Sequence, residues 1–583
     1  MPTPPIRGLR SGDSADPKKL KRDITSPVVR YLAKAGQTAP IAVCLTLLII
    51  MEVIWPQGLI LWLAVMLFFL IARERECARA LPLKFPKGAN RFDPHDPAPG
   101  RQSWKKSAGT VFLGHDIESG QELWISEKDL LTHILMLGTT GSGKTESLVS
   151  LAFNAMATGS GLFYIDPKAA PLLAIQIWRL ARLLGRDDDF RVLNFGTPRG
   201  KLGPGDRLSN TNNPFAKGTA DALTQILASL MPPSSDSHNS VFADKAMNLI
   251  ASLTIALVDL RNKGVIKLSA AKIREYLSVE ACLGLLDNPH LSETARTAMV
   301  AALQSCNWSP SQPKERLQAF YEQFGYAQSY FGRALSNLTD TYEHIYGVEM
   351  GEVDFEDVVL NRRVLVVLLP SLEKSPLELS SLGKIALSSL KSAAAVGLGL
   401  EIEGPDDKVL GSLPINYAGV GPFLTIVDEY AAIVTPGFEM ILTQGRGLGI
   451  AAIIASQDYA GLAEADRKGA QQIVANTNLK FFMKLADPEK TWRLLQSLSG
   501  EEPVLRTSGY NLPPSGQVLG WRDNQAAIVK MTPVSVLRDL MEQTEGEAHC
   551  VYQGQVIRSR LFYVNLPTQD TLLRIPRLIQ LDD

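Results

Sequence analysis

The sequence predicts an α/β fold with a doubly wound, mostly parallel sheet, an inserted all-α domain, and a pair of short apolar helices ahead of both. Three observations carry that expectation. From residue 133 onward, short apolar runs alternate with helical stretches, the pattern of strands joined by crossover helices. Residues from about 240 to 345 show helical periodicity and no convincing strand. Near the N-terminus, two almost uncharged runs stand between basic flanks.

Size and charge narrow the function classes. A chain of 583 residues is too long for one ordinary core, and about 100–200 residues per domain implies three or four units. With 45% hydrophobic and 20% charged residues the chain is of the folded, globular kind. The net charge of -1 hides an asymmetry. Residues 1–91 hold 14 Lys/Arg and 6 Asp/Glu, a net of +8, which leaves 45 basic and 54 acidic residues, a net of -9, in the remainder. The body therefore does not hold nucleic acid by bulk charge; any such contact requires a local basic loop or channel. Cys44, Cys77, Cys282, Cys306 and Cys550 form no CxxC pair, and the seven histidines do not cluster. Reduced thiols of a cytosolic protein are expected, and no zinc site.

The first apolar run, Ala39 to Trp55, is interrupted only by Glu52; after Pro56-Gln57-Gly58 the second, Leu59–Ala72, carries no charge. Each is shorter than the roughly 20 residues of a spanning helix. Trp55, Trp62 and Arg73 extend the spans at the interface. A signal peptide fits poorly, because the first run starts late and no small-residue cleavage site follows it. A buried core hairpin is the other alternative. Eight Lys/Arg precede the first run and six follow the second by Arg91, while the turn has none. The positive-inside rule then puts both flanks in the cytoplasm. The expectation is a two-helix anchor over 39–72 in a bacterial inner membrane, with the bulk of the chain cytoplasmic. The Pro-rich stretch 82–99 reads as the linker that ends it.

The strongest signal comes next. A hairpin is expected over 110–126, turning at Ser119-Gly120, and then an apolar strand at 133–137. Gly138-Thr139-Thr140-Gly141-Ser142-Gly143-Lys144-Thr145 follows, and then a helical run. This is GxxxxGK[ST] in the strand–loop–helix setting that a P-loop requires. Backbone N–H groups of such a loop curl around phosphate oxygens, and the helix N-terminus adds partial positive charge. Lys144 is expected to reach the β/γ-phosphates of ATP, and the Thr145 hydroxyl to take one Mg²⁺ position. The partner element is an apolar strand ending in a carboxylate, and Phe423–Glu429 fits. Asp428 is expected to hold the ion through its water shell, and Glu429 to orient or deprotonate the attacking water. Further strands are expected at Gly161–Asp166, Arg191–Phe195, Val364–Leu369, Ile450–Ser456 and Leu479–Leu485. Gln457 ends one of them, either as a sensor of the γ-phosphate or water or as a polar strand end. Arg446, in a Gly-rich turn before that strand, is either an arginine finger for a neighbouring subunit or a surface arginine.

At these residues the chain resembles the type IV coupling proteins, hexameric P-loop ATPases of the FtsK/HerA superfamily, and within them the DotL/IcmO-like branch of type IVB secretion and I-type conjugation systems. The resemblance spans roughly 105–565. It rests on GQELW before the P-loop, GTTGSGKTESLVSLAFNA across it, RLSNTNNPF at 207–215, and the long stretch 354–391. IVDEY at 426–430, ANTN at 475–478 and EQTEGEAH at 542–549 complete it. It implies a RecA-like nucleotide-binding domain in two parts, 105–239 and 346–565, around an all-α domain at 240–345 that meets substrates. A basic segment at 1–38, the hairpin at 39–72, a linker at 73–104 and a tail at 566–583 complete the expected division. It also implies that Lys144 and Thr145 are the Walker A pair, Asp428 and Glu429 the Walker B pair, and Arg446 and Gln457 the arginine and glutamine that follow. At Asp166-Pro167-Lys168-Ala169 relatives often carry glycine after the lysine, so no role is assigned to Asp166 or Lys168.

The expected function is therefore a membrane-anchored ATPase motor that drives substrate into a type IV secretion or conjugation channel. Expected partners are the channel components, the inner membrane, sister subunits of a homo-hexamer, and as cargo a relaxase bound to single-stranded DNA or protein effectors. The end of the sequence at Asp583, without the long adaptor-binding tail of Dot/Icm relatives, favours conjugative cargo. A non-catalytic docking platform and a chromosome-type DNA translocase are the alternatives.

Overall fold

The computed structural model describes residues 81–566, except 101–102, 198–206, 232–236, 310–316, 397–402, 406–420, 436, 486, 488, 508–509, 512–521, 524–526 and 536, together with 46, 63–68, 71 and 573–576. Two compact units form, Ser126–Phe481 with Phe562–Asp583, and Met1–Ile125 with Phe482–Leu561.

The larger unit is built on seven strands: β1 (Ile134–Leu137), β2 (Leu162–Asp166), β3 (Phe190–Asn194), β4 (Val364–Leu368), β5 (Phe423–Val427), β6 (Ile450–Ser456) and β7 (Leu479–Phe482). Their order across the sheet is β7-β1-β6-β5-β2-β4-β3. The ladders β1–β6, β6–β5, β5–β2, β2–β4 and β4–β3 are all parallel. Every residue of β1, β2, β4, β5 and β6 is buried, which is why these strands read as unbroken apolar runs rather than alternating ones. Helices Lys144–Ala157 and Pro171–Leu183 pack against each other and against the sheet. The second begins with Pro171, whose fixed φ and missing N–H suit a first helical position.

Between residues 237 and 346 the described residues form helices and no strand, as the periodicity predicts. Ser269, Ser278 and Ser292 each cap a helix by accepting the N–H three residues on, which satisfies a donor that the helix itself leaves free. Phe320, Phe324, Phe331 and Leu335 recur on one face of helix Leu317–Ser336 and are buried. Cys282 and Cys306 lie in this helical core; burial pushes the Cys282 thiol up to about 12, so it is an inert packing group.

In the smaller unit Gly109–Asp116 and Glu122–Ser126 are neighbouring strands. Between them the Asp116 carboxylate accepts the N–H groups of Glu118 and Ser119 and so forms the turn. Glu547–Tyr552 pairs antiparallel with Gln555–Leu561, which in turn pairs with Gly109–Asp116. The stretch read as a linker carries structure of its own. Phe92–Pro97 pairs antiparallel with Trp104–Lys106, and Leu83 and Phe85 are buried. The reason is Asp93, fully buried, whose two oxygens accept the N–H groups of Phe85 and His95.

The expected membrane hairpin lies almost wholly outside the described residues, as do the basic segment before it and most of the tail after 566. Residues 63–68 are helical, with Leu63, Met66, Leu67 and Phe68 exposed. No described helix is long and apolar enough to cross a membrane.

Gly161 enters β2 where a Cβ would stand 2.6 Å from the Arg362 carbonyl carbon and 2.7 Å from the Arg363 oxygen. Both atoms belong to backbone leading into β4, whose Arg363 carbonyl accepts the Leu162 N–H, so neither can yield without parting the strands. Gly161→Ala should cost about 1–3 kcal/mol, read as a lower urea midpoint with an unchanged slope.

Candidate functional site

In a parallel sheet the strands finish at one edge. Here β1, β6, β5 and β2 are consecutive, and their four C-terminal ends bring together most of the residues singled out above. The registers pair Ser456 with Leu137, Ile454 with Val427, and Val427 with Ile165. The next residues onward are Gly138 and the P-loop, Gln457, Asp428-Glu429, and Asp166. Neighbouring strands stand about 4.8 Å apart, so β1 and β5, with β6 between them, are separated by roughly 10 Å. That gap is wide enough for phosphate groups and an ion.

The loop Gly138–Thr145 leaves β1 with the Gly138 N–H donating to the Ser456 carbonyl. Gly141 and Gly143 have φ of +78° and +84°, conformations that favour glycine because a Cβ would clash with the backbone. Gly143 caps helix Lys144–Ala157 without any side chain accepting its first N–H groups. Those donors, Thr145 among them, stand at the positive end of the helix dipole, where an anion is favoured. Ser142 is fully buried, and its hydroxyl has no partner among the described residues.

Lys144 is buried, and its Nζ lies 3.2 Å from Glu429 Oε2 and 3.7 Å from Asp428 Oδ1. Asp428 is fully buried. Glu429 adopts φ +48°, a costly conformation for a side chain other than glycine. It is held there from two sides, by Lys144 on Oε2 and by the Gln457 backbone N–H, which donates to Oε1 at 3.2 Å. The link from Gln457 is thus made by its backbone, and its side chain is exposed.

Two residues given no role on sequence belong here. Lys168 Nζ lies 3.3 Å from Asp428 Oδ2. The Asp166 carboxylate, 2% exposed, accepts the N–H groups of Lys168 and Ala170. Burial, followed by the charge of Asp428, raises the Asp166 pKa against those hydrogen bonds. Ala169 has φ +48°, so this chain puts alanine where the backbone favours the glycine common among relatives. The available signal was an Asp at the end of a strand next to the Asp-Glu strand, but their adjacency exists only in the register.

Arg446 is the residue the structure does not bring in. It precedes β6, whose seven residues end at the P-loop edge, and at about 3.3 Å per residue that is roughly 23 Å away. It is exposed and makes no side-chain hydrogen bond or ion pair among the described residues. The remaining set is a glycine loop of N–H donors, a hydroxyl at Thr145, two cations and the three carboxylates of Asp166, Asp428 and Glu429 at one sheet edge. It suits a nucleoside triphosphate with Mg²⁺.

Comparison with known proteins gives a consistent picture. A family model described as the TraM recognition site of TraD and TraG matches residues 422–545, and one for the FtsK/SpoIIIE family matches 97–180. The chain is 36% identical to the type 4 coupling protein DotL of Legionella pneumophila, over 99% of this chain and 75% of DotL. Among solved structures, the bacterial conjugative coupling protein TrwB in its unbound form is similar with a TM-score of 0.49 and 15% identity, covering 76% of this chain and 87% of TrwB. TrwB in complex with ADP and Mg²⁺ gives the same score and identity, over 77% and 89%.

The strand that carries the P-loop starts beside a buried histidine. His133 Nδ1 accepts the Ala452 N–H at 3.0 Å, so the neutral ring carries its proton on Nε2. Burial, opposed only in part by the Leu442 carbonyl, lowers the His133 pKa from 6.5 to about 4. Between those values the unfolded chain binds the proton and the folded one does not. The stabilisation is therefore complete above pH 6.5 and is lost as pH falls toward 4, by at most about 3 kcal/mol. His133→Gln should lose less stability than wild type between pH 7 and pH 5 in urea titrations.

Proposed function

The chain belongs to the type 4 coupling protein family, and from that premise we propose that it is a membrane-anchored ATPase that recruits substrate and drives it into a type IV secretion or conjugation channel. The observation that carries the catalytic half is the meeting of Lys144, Asp428 and Glu429, 284 and 285 positions apart in sequence, within 3.7 Å. The N–H groups of Gly141, Gly143 and the first turn of the helix bind phosphate oxygens, and Lys144 leaves the carboxylates to neutralise the β/γ-phosphates. Thr145 and Asp428 would hold Mg²⁺, which would supply positive charge to the phosphoryl oxygens. Glu429, oriented through both oxygens, positions the attacking water and accepts its proton. The Gln457 side chain, exposed at the strand end, senses the γ-phosphate or that water.

Arg446 completes the site from a neighbouring copy. Its guanidinium sits at the wrong end of β6 to serve its own P-loop, and it is exposed and unengaged among the described residues. A homo-hexameric ring would bring it to the next subunit's phosphates, where its charge stabilises the transition state. The anchor in this reading is the hairpin 39–72, in the inner membrane with both flanks cytoplasmic, and the all-α stretch 240–345 faces the substrate.

Lys144→Ala should abolish ATP hydrolysis and substrate transfer, with the protein still folded because Lys168 continues to face Asp428. Wild-type transfer from a Lys144→Ala strain would overturn the motor. Arg446→Ala and Glu429→Gln subunits, each inactive alone, should regain part of the ATPase rate when mixed, since some interfaces then join an intact site to an intact arginine. Rates that stay at the level of the separate variants at every mixing ratio would remove the role in trans.

A further inference from the structure

Asp428 meets a cation on each oxygen: Lys144 at 3.7 Å from Oδ1 and Lys168 at 3.3 Å from Oδ2. The two lysines differ in kind. Lys144 opens a helix at the phosphate loop, and its side chain is buried, whereas 48% of the Lys168 side chain is exposed. Lys168 reaches the buried carboxylate from the solvent side, and its backbone is fixed. Asp166 accepts the Lys168 and Ala170 N–H groups at 3.0 and 3.2 Å. The turn is also tied to the end of β4, with the Leu369 N–H on the Asp166 carbonyl and the Ser371 N–H on the Pro167 carbonyl. A lone surface lysine would pair with whatever carboxylate lay near; this one is carried by a turn held at four points.

We propose that Lys168 is a positioning residue that sets the Mg²⁺ requirement of the nucleotide site by holding one oxygen of Asp428 in competition with the ion. The proposal rests on the nucleotide reading of the site. A buried carboxylate needs an opposite charge beside it. When Lys144 turns to the phosphates, Lys168 is the cation left to keep Asp428 in place and to share its charge with Mg²⁺. The ion therefore has to displace or divide an existing ion pair, and it enters productively only with the phosphates that repay that loss.

The test is binding of a fluorescent ATP analogue to the full chain in detergent micelles, titrated with Mg²⁺, alongside thermal melting. Lys168→Met keeps the stem and removes the charge, so the Mg²⁺ midpoint should fall by about threefold, the scale of a half-exposed ion pair. Lys168→Arg should return it to the wild-type value, and both variants should melt within a few degrees of wild type. An unchanged or raised midpoint in K168M, or an equal fall in K168M and K168R, overturns the proposal. So does failure of both K168M and Lys168→Gln to fold, because Lys168 would then be a structural residue. Wild-type protein that does not bind the analogue overturns the nucleotide reading along with it, whereas wild-type binding with no Mg²⁺ dependence, or an unchanged K168M beside a Mg²⁺-dependent wild type, overturns this proposal alone.

Discussion

A strand in a parallel sheet buried on both faces cannot slip by one residue without turning every side chain to the opposite face, and the nucleotide site depends on that restriction. Because Ser456 lies beside Leu137 and Val427 beside both Ile454 and Ile165, four chain segments from distant parts of the sequence end level with one another. A one-residue shift of β5 would exchange Asp428 for Val427 or Glu429 at the level of the phosphates. The apolar packing of the larger unit and the chemistry at its edge are thus set by the same ladders.

Crowding charges at that edge has a cost that its neighbours share. Asp166 and Asp428 end adjacent strands and are both buried, so burial and the charge of Asp428 raise the energy of ionised Asp166. Tyr164 lies below them, its hydroxyl buried without a partner among the described residues. Burial and the charges of Asp428, Asp166 and Glu146 keep its proton firmly bound. The two lysines and the backbone N–H groups of the β2 turn counter this repulsion. They are what lets two carboxylates stand side by side under a phosphate site.

Much of this was legible in the sequence, for identifiable reasons. Gly138–Thr145 declares itself by eight residues set between an apolar strand and a helical run, and apolar runs such as 450–455 are strands by length and flanks. The hairpin turning at Ser119-Gly120 was visible because that turn pair stands between two strand-like runs. Lys168 was not legible, because its partner is 260 positions away and only the strand order makes them neighbours. The strand at Phe92–Pro97 was hidden by Pro94 and Pro97, which normally mark a linker; a single buried carboxylate at Asp93 reverses that reading. The position of Arg446 could be placed before a strand but not at the far edge from the loop, since the direction of β6 relative to β1 is a property of the sheet. The identity at Ala169 could be noticed, but not its conformation.

That alanine carries a consequence of its own. In the left-handed region a Cβ costs about 1–2 kcal/mol, and Ala169 sits there at φ +48°. Glycine would relieve the strain, yet it would also restore freedom to a four-residue turn whose task is to deliver one long side chain. Alanine keeps this shape only while Asp166 and the end of β4 hold the turn, because a Cβ favours other backbone conformations once those hydrogen bonds open. A single-base codon change separates the two residues. The position is thus within easy evolutionary reach of a turn that would hold its shape with less help from the bonds around it.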